Sequence, residues 1–490
     1  MRANCTSRRH PAHCGATAGR IPAIRLPVCG PSRDFCGWLM RHFIAALVLL
    51  VGVAGVAAAA PASQRVVLPN GLAVIAIHDD SSAIGAFHLA VRVNPASVPK
   101  SALGVIALSQ QVAQLSLKDL LTQEPWVALG EDVRNTRAAL TLNTELDYAE
   151  ARCQLPAQSL PVALQVAGKA IFGTPDCTPQ QAAAAKDILT NAIADGQDNV
   201  VENTYYHFLE AFFGKQSALA QPAEGTPETL GALAATDIVA YRNTFIGPNN
   251  ASLCVIGPQS VSELVGFARA ALGEYAPSKT TATREPAPPL PVESTISVAQ
   301  LPRWRGASLM VGVGTPPYGT DGFLRAQLIY TLLEGEQGRL RQDKELRGGL
   351  GLNQLMNRGD DQPTVTLLAP MAMPRPLLVM HMMTVPRLME TARTVLLGHL
   401  LAFAKTAPAE AELSAGKQRL INAYAMMQLS RLNFAKSVNC YEIYGQDYSR
   451  VWKTGEDISA ITGEELVTLA KECFQTHAVG VIMPGDDEGE

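Results

Sequence analysis

The sequence has no excess of basic residues. It holds 40 Lys and Arg against 44 Asp and Glu, which gives a net charge of −4 at pH 7. Proteins that bind nucleic acid carry a basic surface instead, so nucleic acid is not an expected partner. Strong compositional bias is missing too, since 39 Gly, 32 Pro and 47% hydrophobic residues in 490 are typical of globular chains. A chain of this length is expected to fold into several domains with large cores.

The cysteines show no metal-binding or redox spacing. Four of them precede residue 40 and lie near His10 and His13, but they lack the paired C-x2–4-C units of zinc sites; they are Cys5, Cys14, Cys29 and Cys36. Five more follow: Cys153, Cys177, Cys254, Cys440 and Cys473. Because five is odd, at least one has no partner among them, and the spacing leaves their disulfide state open. The apolar neighbours of Cys254 predict a buried thiol.

A secretory signal is predicted at residues 40–62. Arg41 and His42 form a short n-region, residues 43–56 are apolar, and Ala60-Pro61-Ala62 has the small-x-small cleavage pattern. The apolar run falls short of the roughly 20 residues that span a bilayer. We therefore expect cleavage after Ala62, a periplasmic location and no stable membrane insertion. An uncleaved signal that anchors the protein to the membrane is the alternative.

Residues 1–39 are not expected to fold. They are rich in arginine and contain a single acidic residue, Asp34. We interpret them as an extension upstream of the true start at Met40, and the sequence leaves open whether they are translated.

One segment is predicted to be a linker between two domains. Residues 277–291 are rich in Pro and Thr and show no hydrophobic periodicity. The predicted organisation is an N-terminal domain at 63–276, a linker at 277–296 and a C-terminal domain at 297–486.

The two predicted domains look like copies of each other. Lys186 to Ala192 and Lys417 to Ala423 share four of seven residues, namely Lys, Leu, Asn and Ala. Apolar strand-like runs at 86–93 and 307–313, and helix-then-strand pairs near both domain ends, recur at a similar offset. An ordered series of matches at a near-constant offset indicates a duplication. Strands that alternate with amphipathic helices predict an α/β fold with α+β layers, each domain being a sheet covered by helices.

Two stretches carry a family resemblance. Residues 66–74 read as a strand, an Asn70-Gly71 turn and a second strand, and residues 225–257 contain Gly-Thr-Pro-Glu, a helix, Pro-Asn-Asn and a strand. In this order and spacing the chain resembles the pitrilysin/insulinase family of zinc metallopeptidases, in the short two-domain bacterial form. The resemblance implies the metallopeptidase fold of the mitochondrial-processing-peptidase type for each domain.

The resemblance also shows what this chain lacks. The family binds zinc through H-x-x-E-H on a helix, where His residues at i and i+4 share one face and the Glu activates water. Aligned on Gly104, the two His positions fall on Ala107 and Gln111, and the Glu position falls on Gln110. The third ligand, a later Glu in the family, falls near Ala192. No H-x-x-E-H occurs anywhere in the chain, and no zinc or other cofactor is expected in it.

A second family element is half preserved. The family holds substrate with an Arg and a Tyr seven residues apart, in the second domain, which stabilise the oxyanion. Here Arg347 matches the Arg, and Gln354 replaces the Tyr. We treat Arg347 and Gln354 as candidate substrate-binding residues, with a structural or surface role for Arg347 as the alternative.

These residues predict a homologue without catalysis of its own. The expected role is that of an exported partner subunit of an active zinc peptidase, in which zinc is held only by the partner and the pair acts on peptides. A stand-alone peptide-binding or scaffold protein is one alternative. An active metalloendopeptidase is the other, and the amides at 110 and 111 argue against it because neither can act as a general base.

Overall fold

The computed structural model describes residues 61–93, 95–131, 140–145, 147–173, 177–281, 288–301, 304–351, 365–368 and 375–485. All of them belong to the compact unit Ala60–Glu490. The predicted extension 1–39 and residues 40–60 of the predicted signal lie outside the described residues, as do residues 282–287 of the predicted linker.

The first half of the unit contains a six-stranded sheet. Its strands are β1 (Ser63–Val67), β2 (Ala73–His78), β3 (Ile84–Arg92), β4 (Thr141–Thr144), β5 (Tyr148–Pro156) and β6 (Ala251–Gly257). They lie in the order β1-β2-β6-β3-β5-β4. Only β2 and β6 pair in parallel, and the other neighbours are antiparallel.

The second half contains a five-stranded sheet with the same plan. Its strands are β7 (Thr295–Leu301), β8 (Ala307–Gly314), β9 (Val365–Leu368), β10 (Leu377–Thr384) and β11 (Ala478–Pro484), in the order β7-β11-β8-β10-β9. Its single parallel pair, β7 and β11, corresponds to the parallel pair β2 and β6 of the first sheet. Leaving out β1, the two sheets have identical order and directions, which is the duplication predicted from the sequence. The fold class is thereby confirmed.

Fourteen helices are present in the described residues. Those of the first half are α1 (Val105–Leu120), α2 (Leu160–Phe172), α3 (Pro179–Gly196), α4 (Val200–Phe213), α5 (Pro227–Ala232), α6 (Ala235–Phe245) and α7 (Val261–Leu272). Those of the second half are α8 (Asp321–Leu333), α9 (Arg339–Gln342), α10 (Met389–Lys405), α11 (Glu410–Leu429), α12 (Arg431–Ile443), α13 (Thr454–Ala460) and α14 (Gly463–Cys473).

The shared lysine of the two copies has the same partner in both. Lys186 on α3 donates from Nζ to the carbonyl oxygen of Gly231 at the end of α5, at 3.2 Å. Lys417 on α11 donates to the carbonyl oxygen of Ser459 at the end of α13, at 2.9 Å. Two identical residues making equivalent bonds in two copies support the repeat independently of strand order.

The two stretches that carried the family resemblance meet in space. Asn70 donates from Nδ2 to the carbonyl oxygen of Leu272 at 2.8 Å, which ties the β1–β2 turn to α7. At Gly71 the turn packs against Asn249, close enough that a β-carbon there would lie 2.9 Å from Asn249 Cα. The Asn-Gly turn and the Pro-Asn-Asn segment are thus two sides of one contact.

Each sheet has one face covered by its own helices and the other by a helix from the opposite half. Alternating strand residues separate the two faces, as expected for a period of two. Val74, Phe87 and Leu253 pack with α2 and α7, whereas Ile75 and Cys254 pack with α12. In the second sheet, Leu309, Val311 and Met380 pack with helices of the second half, and Met310 and Val379 pack with α4.

Phe208 is a residue of α4 that packs closely on the second sheet. It is fully buried against the second sheet. Two strand glycines leave the space that it occupies: a β-carbon at Gly312 would lie 2.8 Å from Phe208 Cζ, and one at Gly480 would collide with the backbone of Phe208. Small residues on the sheet and a large ring on the helix therefore bring α4 unusually close to the strands.

The cysteines of the described residues are all buried and free: Cys153, Cys177, Cys254, Cys440 and Cys473. The buried position predicted for Cys254 is confirmed, and burial raises the pKa of its thiol. Among the described helices, none combines the length and the apolar character that crossing a bilayer requires.

Replacement of Phe208 should weaken the contact between the halves. We expect Phe208→Ala to lower the free energy of unfolding by about 3–5 kcal/mol, because a buried ring is lost and the cavity cannot fully collapse. Urea denaturation followed by circular dichroism measures it. Val201→Ala, at a 37% exposed position of the same helix, is the control and should change stability by less than about 0.5 kcal/mol. Equal effects of the two variants would contradict this role of Phe208.

A buried histidine should make stability depend on pH. His381 on β10 is 7% exposed, its Nε2 lies 3.0 Å from Ser308 Oγ, and burial lowers its pKa to about 4. The unfolded chain takes up this proton near pH 6.5, so stability is lost as pH falls from about 6.5 towards 4. Between pH 7 and 4, wild type should lose about 3 kcal/mol more than His381→Gln. Parallel stability curves for the two proteins would contradict the assignment.

Candidate functional site

Helix α1 presents the degenerate zinc motif to a cavity. The helix begins after Gly104, whose φ of +90° and close approach to Glu224 leave no room for a side chain; a β-carbon there would lie 2.6 Å from the Glu224 carbonyl oxygen. Leu108 and Val112, on another face of the helix, are fully buried in a core with α3, α5 and α6. The face with Ala107, Gln110 and Gln111 lines a cavity of about 510 Å³, which we call the motif cavity.

The structure brings three of the four predicted motif positions together and leaves out the fourth. Ala107, Gln110 and Gln111 all line the motif cavity. Ala192 on α3 is exposed and is not a lining residue; Leu189, one turn earlier on the same helix, lines the cavity instead. Leu189 is therefore the α3 residue that lines the motif cavity, and it also lacks a ligand atom.

These residues do not fit a zinc ion. Zinc sites in proteins need three or four Cys, His, Asp or Glu ligands, and the motif positions supply a methyl group and two neutral amides. Across the part of the chain that the structure describes, no group of three or more such residues is arranged to hold a metal. The His207–Glu210 pair on α4, which contains H-x-x-E, is an ordinary helix contact, with Nδ1 and Oε2 3.1 Å apart and Ser297 Oγ also 3.1 Å from Nδ1.

The motif cavity has polar groups suited to binding. Gln110 and Gln111 can each donate and accept hydrogen bonds, as a peptide backbone requires. Glu145 and Glu224 also contribute to the lining, and Tyr206 donates from its hydroxyl to Glu224 Oε2 at 3.2 Å. The lining can therefore form hydrogen bonds with a peptide backbone, and its motif positions provide no general base.

A second and larger cavity lies in the C-terminal half, and we call it the C-terminal cavity. Its volume is about 630 Å³. Helices α8, α11 and α12 supply most of its walls, through residues such as Phe323, Leu420 and Lys436. Glu145, from the first half, lines both cavities. The two cavities are therefore adjacent, with this residue at their boundary.

A buried ionic network joins the halves beside these cavities. Lys436 on α12 contacts Glu145 Oε1 at 2.6 Å and Glu150 Oε2 at 3.0 Å. Glu150 is 1% exposed and also accepts a bond from His88 Nε2 at 2.8 Å. Asn439 on α12 donates from Nδ2 to His88 Nδ1 at 2.9 Å. One helix of the second half thus supplies two partners to a polar cluster on the first sheet.

The protonation states in this network follow from its geometry. Burial lowers the pKa of His88, so the ring is neutral, with Nε2 donating to Glu150 and Nδ1 accepting from Asn439. Burial alone would raise the pKa of Glu150, but His88 and Lys436 outweigh it and bring the pKa to about 2. For Lys436, burial opposes the charged form, yet the bonds to Glu145 and Glu150 raise its pKa. The carboxylate and the ammonium are both charged.

The candidate substrate-binding pair is only partly described. Arg347 lies in the segment Leu346–Leu350 and is exposed, and its backbone N–H donates to the carbonyl oxygen of Asp343 at 3.1 Å. It lines neither of the two cavities. Gln354 lies outside the described residues.

Residues 232–353 match the family model described as the peptidase M16 inactive domain. This match confirms the predicted pitrilysin/insulinase resemblance. The matched segment is therefore similar to that family, and the H-x-x-E-H motif occurs nowhere in the chain. No curated protein matches it by sequence.

Solved structures of other proteins share its fold. A protease from Helicobacter pylori matches with a TM-score of 0.72 and 12% identity, over 86% of this chain and 100% of that chain. An M16 inactive-domain protein from Pseudomonas fluorescens gives 0.71 and 15%, over 86% and 98%. A chain of complex III2 from Candida albicans, with Inz-5 bound, gives 0.65 and 13%, over 87% and 97%. At such identities the likeness shows the fold alone.

Sequence reasoning missed three residues of the site. An approximate family spacing to the third ligand does not distinguish Leu189 from Ala192, which lies one helical turn later. Glu145 and Lys436 are far apart in the chain, and only the packing of α12 on the first sheet brings them together. The one available signal was the repeated Lys-x-x-Leu of α3 and α11, in which Leu189 and Leu420 line the two cavities.

The purified chain is expected to hold no stoichiometric zinc and to cleave no peptide alone. The reason is that Ala107, Gln110 and Gln111 supply neither ligands nor a base. Elemental analysis of the dialysed protein and a peptidase assay test this. About one zinc per chain would contradict it.

Restoring the motif tests which residue of α3 faces it. We expect Ala107→His/Gln110→Glu/Gln111→His to bind zinc weakly, and added Leu189→Glu to tighten binding by at least about tenfold, because a third ligand then reaches the cavity. Added Ala192→Glu is the matched control and should change nothing. Zinc affinity is measured by competition with a chromophoric chelator. A gain from Ala192→Glu in place of Leu189→Glu would refute this placement.

Proposed function

We propose that this M16 homologue is an exported, non-catalytic subunit that pairs with a zinc-bearing peptidase of its own family and helps it to bind peptides. The observation that carries the proposal is the motif cavity, which is kept as a space of about 510 Å³ although its motif positions are Ala107, Gln110 and Gln111. A cavity retained without catalytic groups is suited to holding substrate for chemistry supplied by another chain.

The family comparisons support this proposal without identifying the partner. The matched model is that of an inactive domain, and one chain with the same fold belongs to a multi-subunit complex, complex III2 from Candida albicans. In this proposal the predicted signal at 40–62 delivers the subunit to the periplasm.

Capture of the partner tests the proposal directly. A tagged copy expressed at native level in the host should co-purify with a protein that contains an intact H-x-x-E-H motif and about one zinc. Mass spectrometry and elemental analysis of the eluate are the readouts. Recovery of the tagged chain alone, under conditions that preserve M16 complexes, would reject the partner role and favour a stand-alone peptide-binding protein.

Arg347 is proposed to assist the partner's chemistry. An exposed guanidinium presented to the partner's active site would stabilise charge on the scissile carbonyl oxygen. Loss of a comparable donor lowers turnover by about 100–1000-fold, and we expect the smaller figure for Arg347→Ala because Gln354 replaces the usual Tyr. Peptide turnover by the reconstituted complex is the measurement.

The control for this experiment is another exposed arginine nearby. Arg341→Ala, on α9, should leave turnover unchanged, and size-exclusion chromatography should show that both variants form the complex. If the complex with Arg347→Ala turns over at the wild-type rate, Arg347 has no catalytic role and the subunit is architectural.

A further inference from the structure

The C-terminal cavity is the repeat-related counterpart of the motif cavity. The motif cavity has walls from α1, α3 and α4, and the C-terminal cavity has walls from α8, α11 and α12, which occupy the same places in the second repeat. Leu189 lines the first and Leu420 lines the second, and these are matching residues of the repeated segment. The duplication has therefore produced two pockets in one chain, of which only one corresponds to the zinc motif.

The two pockets differ in chemistry. Five aromatic side chains line the C-terminal cavity, together with Leu420 and Met427; the five are Tyr148, Tyr318, Phe323, Tyr330 and Tyr424. Tyr318 packs against Phe323 with ring centroids 4.9 Å apart, which gives this wall a rigid aromatic surface. Burial raises the pKa of Tyr148, Tyr318 and Tyr424, so these hydroxyl groups stay neutral.

Three of the four charged residues of this cavity, Glu145, Arg419 and Lys436, already have protein partners. Lys436 is held by Glu145 and Glu150, as described above. Arg419 donates from Nη2 to the carbonyl oxygen of Thr331 at 3.1 Å. Tyr424 donates from its hydroxyl to Gln327 Oε1. A lining with two cations, two carboxylates and a mostly apolar surface favours a neutral ligand over an ion.

We propose that the C-terminal cavity binds a large, neutral apolar or aromatic side chain of a peptide. Its volume of about 630 Å³ lies in the range of about 300–1,000 Å³ found for ligand pockets, which are typically apolar with a few polar groups. Because Glu145 borders both cavities, a peptide backbone can extend from the motif cavity past the Glu145–Lys436 pair into this one. The choice of a peptide rests on the proposed function, whereas the preference for an apolar neutral group rests on the lining alone.

The repeat offers a matched pair of positions for the test. Ala423 on α11 lines the C-terminal cavity and is exposed. Its repeat-related residue, Ala192 on α3, is exposed as well and lines neither cavity. Tryptophan at 423 should fill the pocket from its rim without disturbing the core, and tryptophan at 192 adds the same side chain outside a pocket.

The experiment measures peptide binding to the purified full chain by isothermal titration calorimetry. The probes are the blocked dipeptides N-acetyl-diphenylalanine amide and N-acetyl-diserine amide. We expect saturable binding of the first at concentrations below about 1 mM and none of the second. Ala423→Trp should weaken binding at least about tenfold, and Ala192→Trp should leave it unchanged, with circular dichroism confirming that both variants fold.

Each other outcome overturns the inference. Absence of saturable binding, equal binding of both dipeptides, or unchanged binding by Ala423→Trp would show that this cavity does not select an apolar side chain. Ala423→Ser, which keeps the pocket open, should bind like wild type and guards against a general effect of substitution at this position. The result is independent of partner capture. If the dipeptide binds but no partner is captured, only the proposed function is refuted. If a partner is captured but the dipeptide does not bind, only this inference is refuted.

Discussion

The structure depends on the exchange of one helix between the two repeats. Helix α4 belongs to the first repeat but packs on the second sheet, and α12 belongs to the second repeat but packs on the first sheet. Both helices also face a cavity: Phe208 packs on strands while Tyr205 and Leu209 line the motif cavity, and Val438 packs on strands while Lys436 lines the C-terminal cavity. The same contact that holds the halves together therefore builds a wall of each pocket.

The polar contacts of α12 with the first sheet fix the position of this helix more narrowly than apolar packing can. A buried carboxylate such as Glu150 is tolerated only when its partners are in place, and removal of one partner from a buried ion pair costs about 3–5 kcal/mol. Lys436 and Asn439 are one turn apart on α12, so both reach the Glu150–His88 pair only at one rotation of the helix about its axis. That rotation also places Lys436 beside Glu145, at the boundary between the two cavities.

Local patterns in the sequence sufficed for the repeat and for some of its elements, such as the strands β3 and β8. The strand at 251–257 follows from its apolar run, and the Asn70-Gly71 turn follows from residue type. The helix exchange could not be predicted this way, because α4 and α12 have apolar faces that any sheet could cover. The position of Leu189 at the motif cavity could not be predicted either, because an approximate spacing cannot resolve a shift of one helical turn, and that shift decides whether a side chain lines the cavity.

Helix α1 keeps its place in the fold without the zinc motif because its core-packing residues and its motif positions lie on different faces. Leu108, Val112 and Ala113 are almost completely buried and hold the helix in place through apolar packing, which depends on their area and shape. Ala107 and Gln111 are only partly buried and face the cavity, so a change there removes few packing contacts and costs little stability. Catalytic ligands and core residues of this helix can therefore vary independently. A chain that loses the ligands keeps the cavity, and selection for binding can then act on the cavity alone.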